Sequence, residues 1–163
     1  MTDKTRNDDP FCSREILSET LFYGTKSFYV LYDIKPVVPG HVLIIPKRHV
    51  MGITELTNVE FMELHGLLRM LIPKMLRLYK SDGSYNIVLQ TGRYSGMSIR
   101  HMHIHLVPRN RRDRYQIRNN RLYVDLERNR KGMGRKFVDS EVKRLRKAFE
   151  SLAQSHKSDL NSA

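Results

Sequence analysis

Apolar positions along the chain change period several times, and each change marks an element. Leu21-Phe-Tyr23 and Ser27 to Asp33 are short runs rich in aromatic and β-branched residues on either side of Gly24-Thr-Lys26, which predicts two strands joined as a hairpin. Lys35-Pro-Val-Val-Pro-Gly40 breaks any ladder, because proline has no N–H to donate, and His41 to Ile45 resumes as a third strand. Phe61, Leu64, Leu67, Leu68, Leu71, Met75 and Leu78 then recur at helical spacing behind Thr57-Asn-Val-Glu60, a capping-box pattern, so a long amphipathic helix runs to about Tyr79. Tyr85 to Gln90 reads as a strand, Thr91 to Ser98 as a glycine-bearing loop, and His101 to Val107 as an alternating strand stopped by Pro108. Phe11 to Leu17 suits a short helix or turn, and a last helix is predicted from a cap at Asp139 or Ser140 to about Ala153. Strands, helix, strands and a tail helix make an α+β fold with a largely antiparallel sheet.

The 163 residues suit one domain with a substantial core. Polar residues 1–10 are expected to form a disordered lead-in, residues 11–110 the functional domain, and residues 111–163 a basic extension packed on it. The longest apolar runs, His41 to Pro46 and Leu67 to Ile72, fall far short of the ~18 residues of a membrane span, and no signal-peptide pattern is visible. Cys12 is the sole cysteine, which favours a reducing compartment, so a cytoplasmic protein with possible nuclear access is expected. The formal charge is +12, and residues 109–147 hold fifteen basic against five acidic side chains. Such an excess suits polyanions, whether phosphate-rich small molecules or nucleic acid, but equally a solvated surface. No nucleic-acid motif accompanies it.

The chemistry concentrates in His101-Met-His103-Ile-His105-Leu-Val107. In a strand, positions i, i+2 and i+4 share a face, so three imidazoles stand in a row while Met102, Ile104 and Leu106 face a core. Three incidental surface histidines would be the bland explanation, but a row of imidazoles leaves polar nitrogens to satisfy. Histidines two apart on a strand can also bind zinc, although Cys12 and the carboxylates offer no obvious cluster to complete such a site. A neutral histidine can instead attack phosphorus when a hydrogen bond at one ring nitrogen fixes the proton there.

This run resembles the signature of the histidine-triad superfamily, His-φ-His-φ-His-φ-φ with φ apolar, and satisfies it at every position. Leu31 to Pro46 is a second matching block, with Lys35 to Leu43 very similar to the fragile histidine triad branch, the dinucleoside polyphosphate hydrolases. The resemblance spans about residues 11–150 and thins beyond Arg109. It implies a histidine-triad fold, usually as a homodimer, and hydrolysis of diadenosine tri- or tetraphosphate to AMP and the remaining nucleotide through a nucleotidyl-histidine. A nucleoside phosphoramidase or a dinucleoside polyphosphate phosphorylase of the same superfamily is an alternative, and a non-catalytic nucleotide or nucleic-acid binding module is another.

By the resemblance His103 is the nucleophile, His105 contacts phosphate oxygens, His101 supports, and His41 buttresses the site. Gln90 falls where the polyphosphatase branch contacts phosphate, and Asp33 where the family contacts ribose, although an Asx turn before Pro36 also explains it. Phe11, Ile16, Leu31 and Leu43 match the apolar wall around the base. Ser98 and Arg109 are further candidates for substrate contact. A magnesium or manganese ion is expected to travel with the polyphosphate, because it neutralises charge on the leaving group, with no metal ligand on the protein and no organic cofactor expected. One departure stands out: Ser95-Gly-Met-Ser98 carries Met97 where the family often has glutamine. The same loop gains Arg93 and Tyr94.

Overall fold

The computed structural model describes residues 9–111, 113 and 133–160, with side chains up to 150. After a 3₁₀ turn at Pro10–Cys12, helix α1 (Arg14–Thr20) leads into strands β1 (Leu21–Gly24), β2 (Phe28–Tyr32) and β3 (Val42–Pro46). Helix α2 (Asn58–Leu78), strands β4 (Tyr85–Leu89) and β5 (Ile104–Pro108), and helix α3 (Arg135–Leu160) complete the order. The five strands form one sheet in the order β1-β2-β3-β5-β4, and every neighbouring pair is antiparallel.

The alternation of side chains divides the sheet into two faces. Val30, Ile44 and Ile104 stand in register on one side, as do Tyr32, Val42 and Leu106, and they bury against both long helices. Helix α2 supplies Leu64, Leu67, Leu71 and Met75, and α3 supplies Val138, Val142, Leu145 and Phe149. On the other face Leu31, Leu43 and His105 are in register, and neither α2 nor α3 packs over them. There a smaller cluster of Phe11, Leu31, Leu43 and Ile45 is covered, among the described residues, by the first turn, α1 and Ile99 of the loop before β5.

Helix α2 begins as its sequence dictates. The Thr57 hydroxyl accepts from the Glu60 N–H and the Glu60 carboxylate accepts from the Thr57 N–H, closing the capping box. Phe61, counted in the apolar stripe, is instead 49% exposed. The helix also continues through Pro73, whose ring removes one backbone bond, because packing on both sides of it holds the turns. At the C-terminal end the Tyr79 ring lies against Gly40. A Cβ there would stand 2.6 Å from the ring, and its φ of +90° independently favours glycine.

Four boundaries differ from the sequence reading. Asp9 and Pro10 belong to folded structure rather than to a lead-in, since Asp9 is buried and caps the first turn through the Phe11 N–H. Strand β5 starts at Ile104, not His101. Continued register would set Met102 opposite Pro46, which cannot donate, and the Met102 N–H bonds Val50 O instead. Helix α3 starts at Arg135, after Gly134 in the left-handed region, so neither Asp139 nor Ser140 caps it. It also runs to Leu160, seven residues past the expected end at Ala153. Most of the basic segment 109–147 lies outside the described residues.

Candidate active site

The alternating histidines and the β2–β3 pair meet on the open face of the sheet. A cleft there is lined by Phe11, Ile16, Leu31 and Leu43, the four positions expected to wall the base, together with Asp33, Ser98, His103 and His105. His103 is 2% exposed, and its ring lies 5.3 Å from that of Phe11 and 5.0 Å from that of His105.

Hydrogen bonds assign the protons of two of these rings. His103 Nδ1–H donates to the His101 carbonyl at 2.8 Å, so Nε2 carries the lone pair. The Val37 N–H donates to His41 Nδ1 at 3.4 Å, which leaves the His41 proton on Nε2. That Nε2–H donates to His105 Nδ1 at 2.9 Å, with Asp33 Oδ2 3.4 Å away, and His105 therefore carries its own proton on Nε2. One wall of the cleft thus presents an imidazole with its lone pair on Nε2 beside one with its proton on Nε2. His41 does not line the cleft. It is wholly buried and reaches the cleft only through its hydrogen bond to His105.

Asp33 makes the Asx turn, one of its two readings, and sits at the cleft. Its Oδ1 accepts from the Lys35 N–H at 2.7 Å, the Asx turn, while the residue also lines the cleft. Ser98 is exposed at the cleft edge.

Two expected contacts are not brought into the cleft. Gln90 turns its Nε2 to the Ser95 carbonyl at 2.8 Å and packs against Gly96, where a Cβ would stand 2.6 Å from it. Its buried Oε1 has no partner among the described residues. Arg109 lies at the far end of β5, about 20 Å from His103 at ~3.3 Å per strand residue. Its guanidinium bonds Asp113 at 2.8 Å and Asn86 at 3.2 Å, which fixes it to β4 rather than to a substrate. Met97 faces the loop backbone, with Sδ 3.4 Å from the Gly92 N–H.

His101 stands behind the cleft. Its Nε2–H donates to the Pro46 carbonyl at 2.9 Å, and its Nδ1 is 2.6 Å from Asp9 Oδ2. Burial pushes the Asp9 carboxyl up, but donation from Phe11, His101 and Cys12 outweighs this and holds it below the ordinary aspartate value. His49 joins the same group, with Nε2 3.5 Å from Asp9 Oδ2 and its ring 4.8 Å from that of His101. The sequence reading singled out neither Asp9 nor His49. The available signal was weak: an aspartate three residues before Cys12, and a histidine three residues after Pro46.

Comparison with known proteins agrees with this geometry. Residues 14–112 match the HIT domain family. A bis(5'-adenosyl)-triphosphatase of Dictyostelium discoideum is 31% identical over 83% of this chain and 89% of its own length. One from Saccharomyces cerevisiae is 36% identical over 69% of this chain, which spans only 52% of that protein. The crystal structure of Plasmodium falciparum diadenosine triphosphate hydrolase superposes with a TM-score of 0.65 at 22% identity, covering 82% of this chain and 78% of that one. With the triad intact, its neighbours in register and the fold shared, the chain belongs to the HIT domain family.

Proposed function

We propose that this protein hydrolyses dinucleoside polyphosphates, diadenosine tri- or tetraphosphate in the first instance, to AMP and the remaining nucleotide. The observation that carries this reading is the lone pair on His103 Nε2, set by the Nδ1–H bond to the His101 carbonyl, in the wall of a cleft whose other side is apolar. One nucleoside would lie with its base among Phe11, Ile16, Leu31 and Leu43 and its ribose hydroxyls near the Asp33 carboxylate. Nε2 of His103 would then attack the α-phosphorus. A P–N bond forms as the bond to the bridging oxygen breaks, and the leaving nucleotide departs with that electron pair. The His105 Nε2–H donates to the charge developing on phosphoryl oxygen. Water then cleaves the P–N bond, releasing AMP and restoring the lone pair.

A magnesium or manganese ion would enter with the substrate. Among the described lining residues Asp33 is the one carboxylate, and it is engaged with Lys35 and His41, so these residues supply no oxygen-rich set for a resident ion of that class. The ion would neutralise charge on the leaving polyphosphate.

The names of the curated relatives support both chain lengths, since an asymmetrical bis(5'-nucleosyl)-tetraphosphatase of Schizosaccharomyces pombe is 32% identical over 73% of this chain and 64% of its own. The single cysteine fits a reducing compartment, the cytoplasm with possible nuclear access, and among the described residues no helix is long and apolar enough to cross a membrane. A homodimer is the favoured assembly, because edge strand β4 exposes Tyr85 and Ile87.

The test is AMP release from diadenosine tri- and tetraphosphate by the purified full chain, with and without added phosphate. AMP with a nucleoside di- or triphosphate as co-product supports the proposal. Phosphate-dependent cleavage would point to a phosphorylase. Turnover confined to phosphoramidates, or tight binding with no turnover, would overturn it.

A further inference from the structure

The two long helices turn an outer face to solvent on the side of the molecule away from the cleft, and basic residues gather there. On α3 the buried stripe is Val138, Val142, Leu145 and Phe149. Lys136, Lys143 and Lys147 lie on the opposite side of the same helix, all exposed, at positions i, i+7 and i+11. At 1.5 Å per residue they form a row about 16 Å long. On α2, Arg77 is exposed, and Lys80 is exposed just past the helix end.

The helices run antiparallel along their contact. Lys74 Nζ donates to the Ala148 carbonyl and the Tyr79 hydroxyl donates to the Glu141 carboxylate, so numbering rises along α2 as it falls along α3. That order sets Arg77 level with Arg144, cation beside cation along the groove between the helices. Burial pushes the Lys74 ammonium below the ordinary lysine value, and the charge of Arg77 adds to the shift. Nearby carboxylates are already engaged. Glu141 is held by Arg144 and Tyr79, and Asp139 lies toward Arg135. Among the described residues no carboxylate pairs with Arg77, Lys80, Lys136, Lys143 or Lys147. Like charges gathered on one face repel one another, and a polyanion laid along them offsets that repulsion.

Two features select the polyanion. The buried stripe of α3 is packed into the core, so the helix has no apolar face left to enter a lipid surface. Beside these cations the described residues offer no open aromatic ring on which bases could stack, since Tyr79 lies under the Arg144 guanidinium at 4.6 Å. A row of cations without such a platform suits phosphates, which carry no sequence information. We propose that the outer face of α2 and α3 binds duplex nucleic acid through its phosphate backbone, independently of sequence. The sheet and the helix layer separate this face from the cleft, so binding here stands or falls apart from hydrolysis.

The test is titration of a fluorescent DNA duplex of about 20 base pairs with the full-length protein over a range of salt concentrations. Dissociation constants of about 10⁻⁴ to 10⁻⁶ M are expected near physiological salt, rising steeply as salt is added. Lys143→Ala with Lys147→Ala removes two charges at exposed positions and should leave the circular dichroism spectrum unchanged. At low salt its affinity should fall about tenfold or more, and the slope of log K against log salt should become shallower by about 2. Arg93→Ala with Arg100→Ala removes the same charge from exposed positions on the loop beside the cleft and should bind as the wild type does. Equal losses in the two double variants would reduce the effect to net charge and overturn the proposal. So would no binding at about 50 mM salt. Displacement of the duplex by AMP would place it in the cleft, and capture of phosphatidylserine vesicles without the duplex would make the partner a membrane; either result also overturns the proposal.

Discussion

His103 and His105 are two residues apart and chemically alike, yet their neighbours assign them opposite protons. His103 gives Nδ1–H to a backbone carbonyl, while His105 receives a proton at Nδ1 from His41. The first ring can attack and the second can donate. Replacing His41 with alanine removes the donor that holds His105 in this form, without touching the cleft. Turnover of His41→Ala should fall about 10- to 100-fold, with KM for the dinucleotide nearly unchanged. Steady-state kinetics check this, and a variant that lost binding but kept kcat would contradict the orienting role. The row of imidazoles was legible in the sequence because it rests on local alternation, whereas the apolar wall of Phe11, Ile16, Leu31 and Leu43 came from the resemblance alone. Asp9 and His49 were not legible, since both join the group around His101 through contacts across the fold, Asp9 from 92 positions before it. Arg109 misled for the opposite reason. It is adjacent in sequence to the catalytic strand, but a strand carries its ends apart.

At the scale of elements, α2 shows how a short motif fixes a boundary. The box at Thr57 and Glu60 was readable from four residues, because capping satisfies donors that any helix start leaves open. The structure adds Arg48, whose guanidinium reaches the Glu60 carboxylate at 2.7 Å. Pairing with Arg48, helped by donation from Thr57, holds the Glu60 pKa down at about 2. A carboxyl lowered on folding stabilises the protein above its unfolded value, near 4.3, and loses that contribution as pH falls toward 2. Glu60→Gln keeps a capping amide but not the charge. Its melting temperature should lie below the wild type at pH 7, and the gap should close between about pH 4.5 and 2. Raising salt should narrow the gap at pH 7, because the pair is near the surface. A gap independent of pH would show that the ion pair contributes nothing. The ends of β5 and α3 were not legible in this way. One depends on what proline opposes across the sheet, and the other on a helix whose apolar positions Val138, Val142, Leu145 and Phe149 are diluted by charge.

Across the whole molecule, one sheet separates packing from chemistry. Both long helices cover the face that carries Val30, Ile44 and Ile104, leaving the other free to place His105 in register with Leu43 and Leu31. Which face would hold the helices followed from the alternation, since Met102, Ile104 and Leu106 are apolar and the histidines are not. The assembly is set by edges instead. Strand β4 ends the sheet with Tyr85 and Ile87 exposed, and α2 exposes Phe61 and Met62. Light scattering during size exclusion should give twice the chain mass, and Ile87→Lys should give a monomer. A wild-type monomer at micromolar concentration would remove the dimer from the account. Hydrolysis by this route requires that His103 Nε2 become covalently bonded to phosphorus. Intact-mass analysis of alkali-quenched enzyme during turnover of diadenosine triphosphate tests it most directly. A mass gain of one adenylyl group is expected, mapped to His103 and absent in His103→Ala. Turnover by His103→Ala at the wild-type rate, or an adduct mapped to another residue, would contradict it.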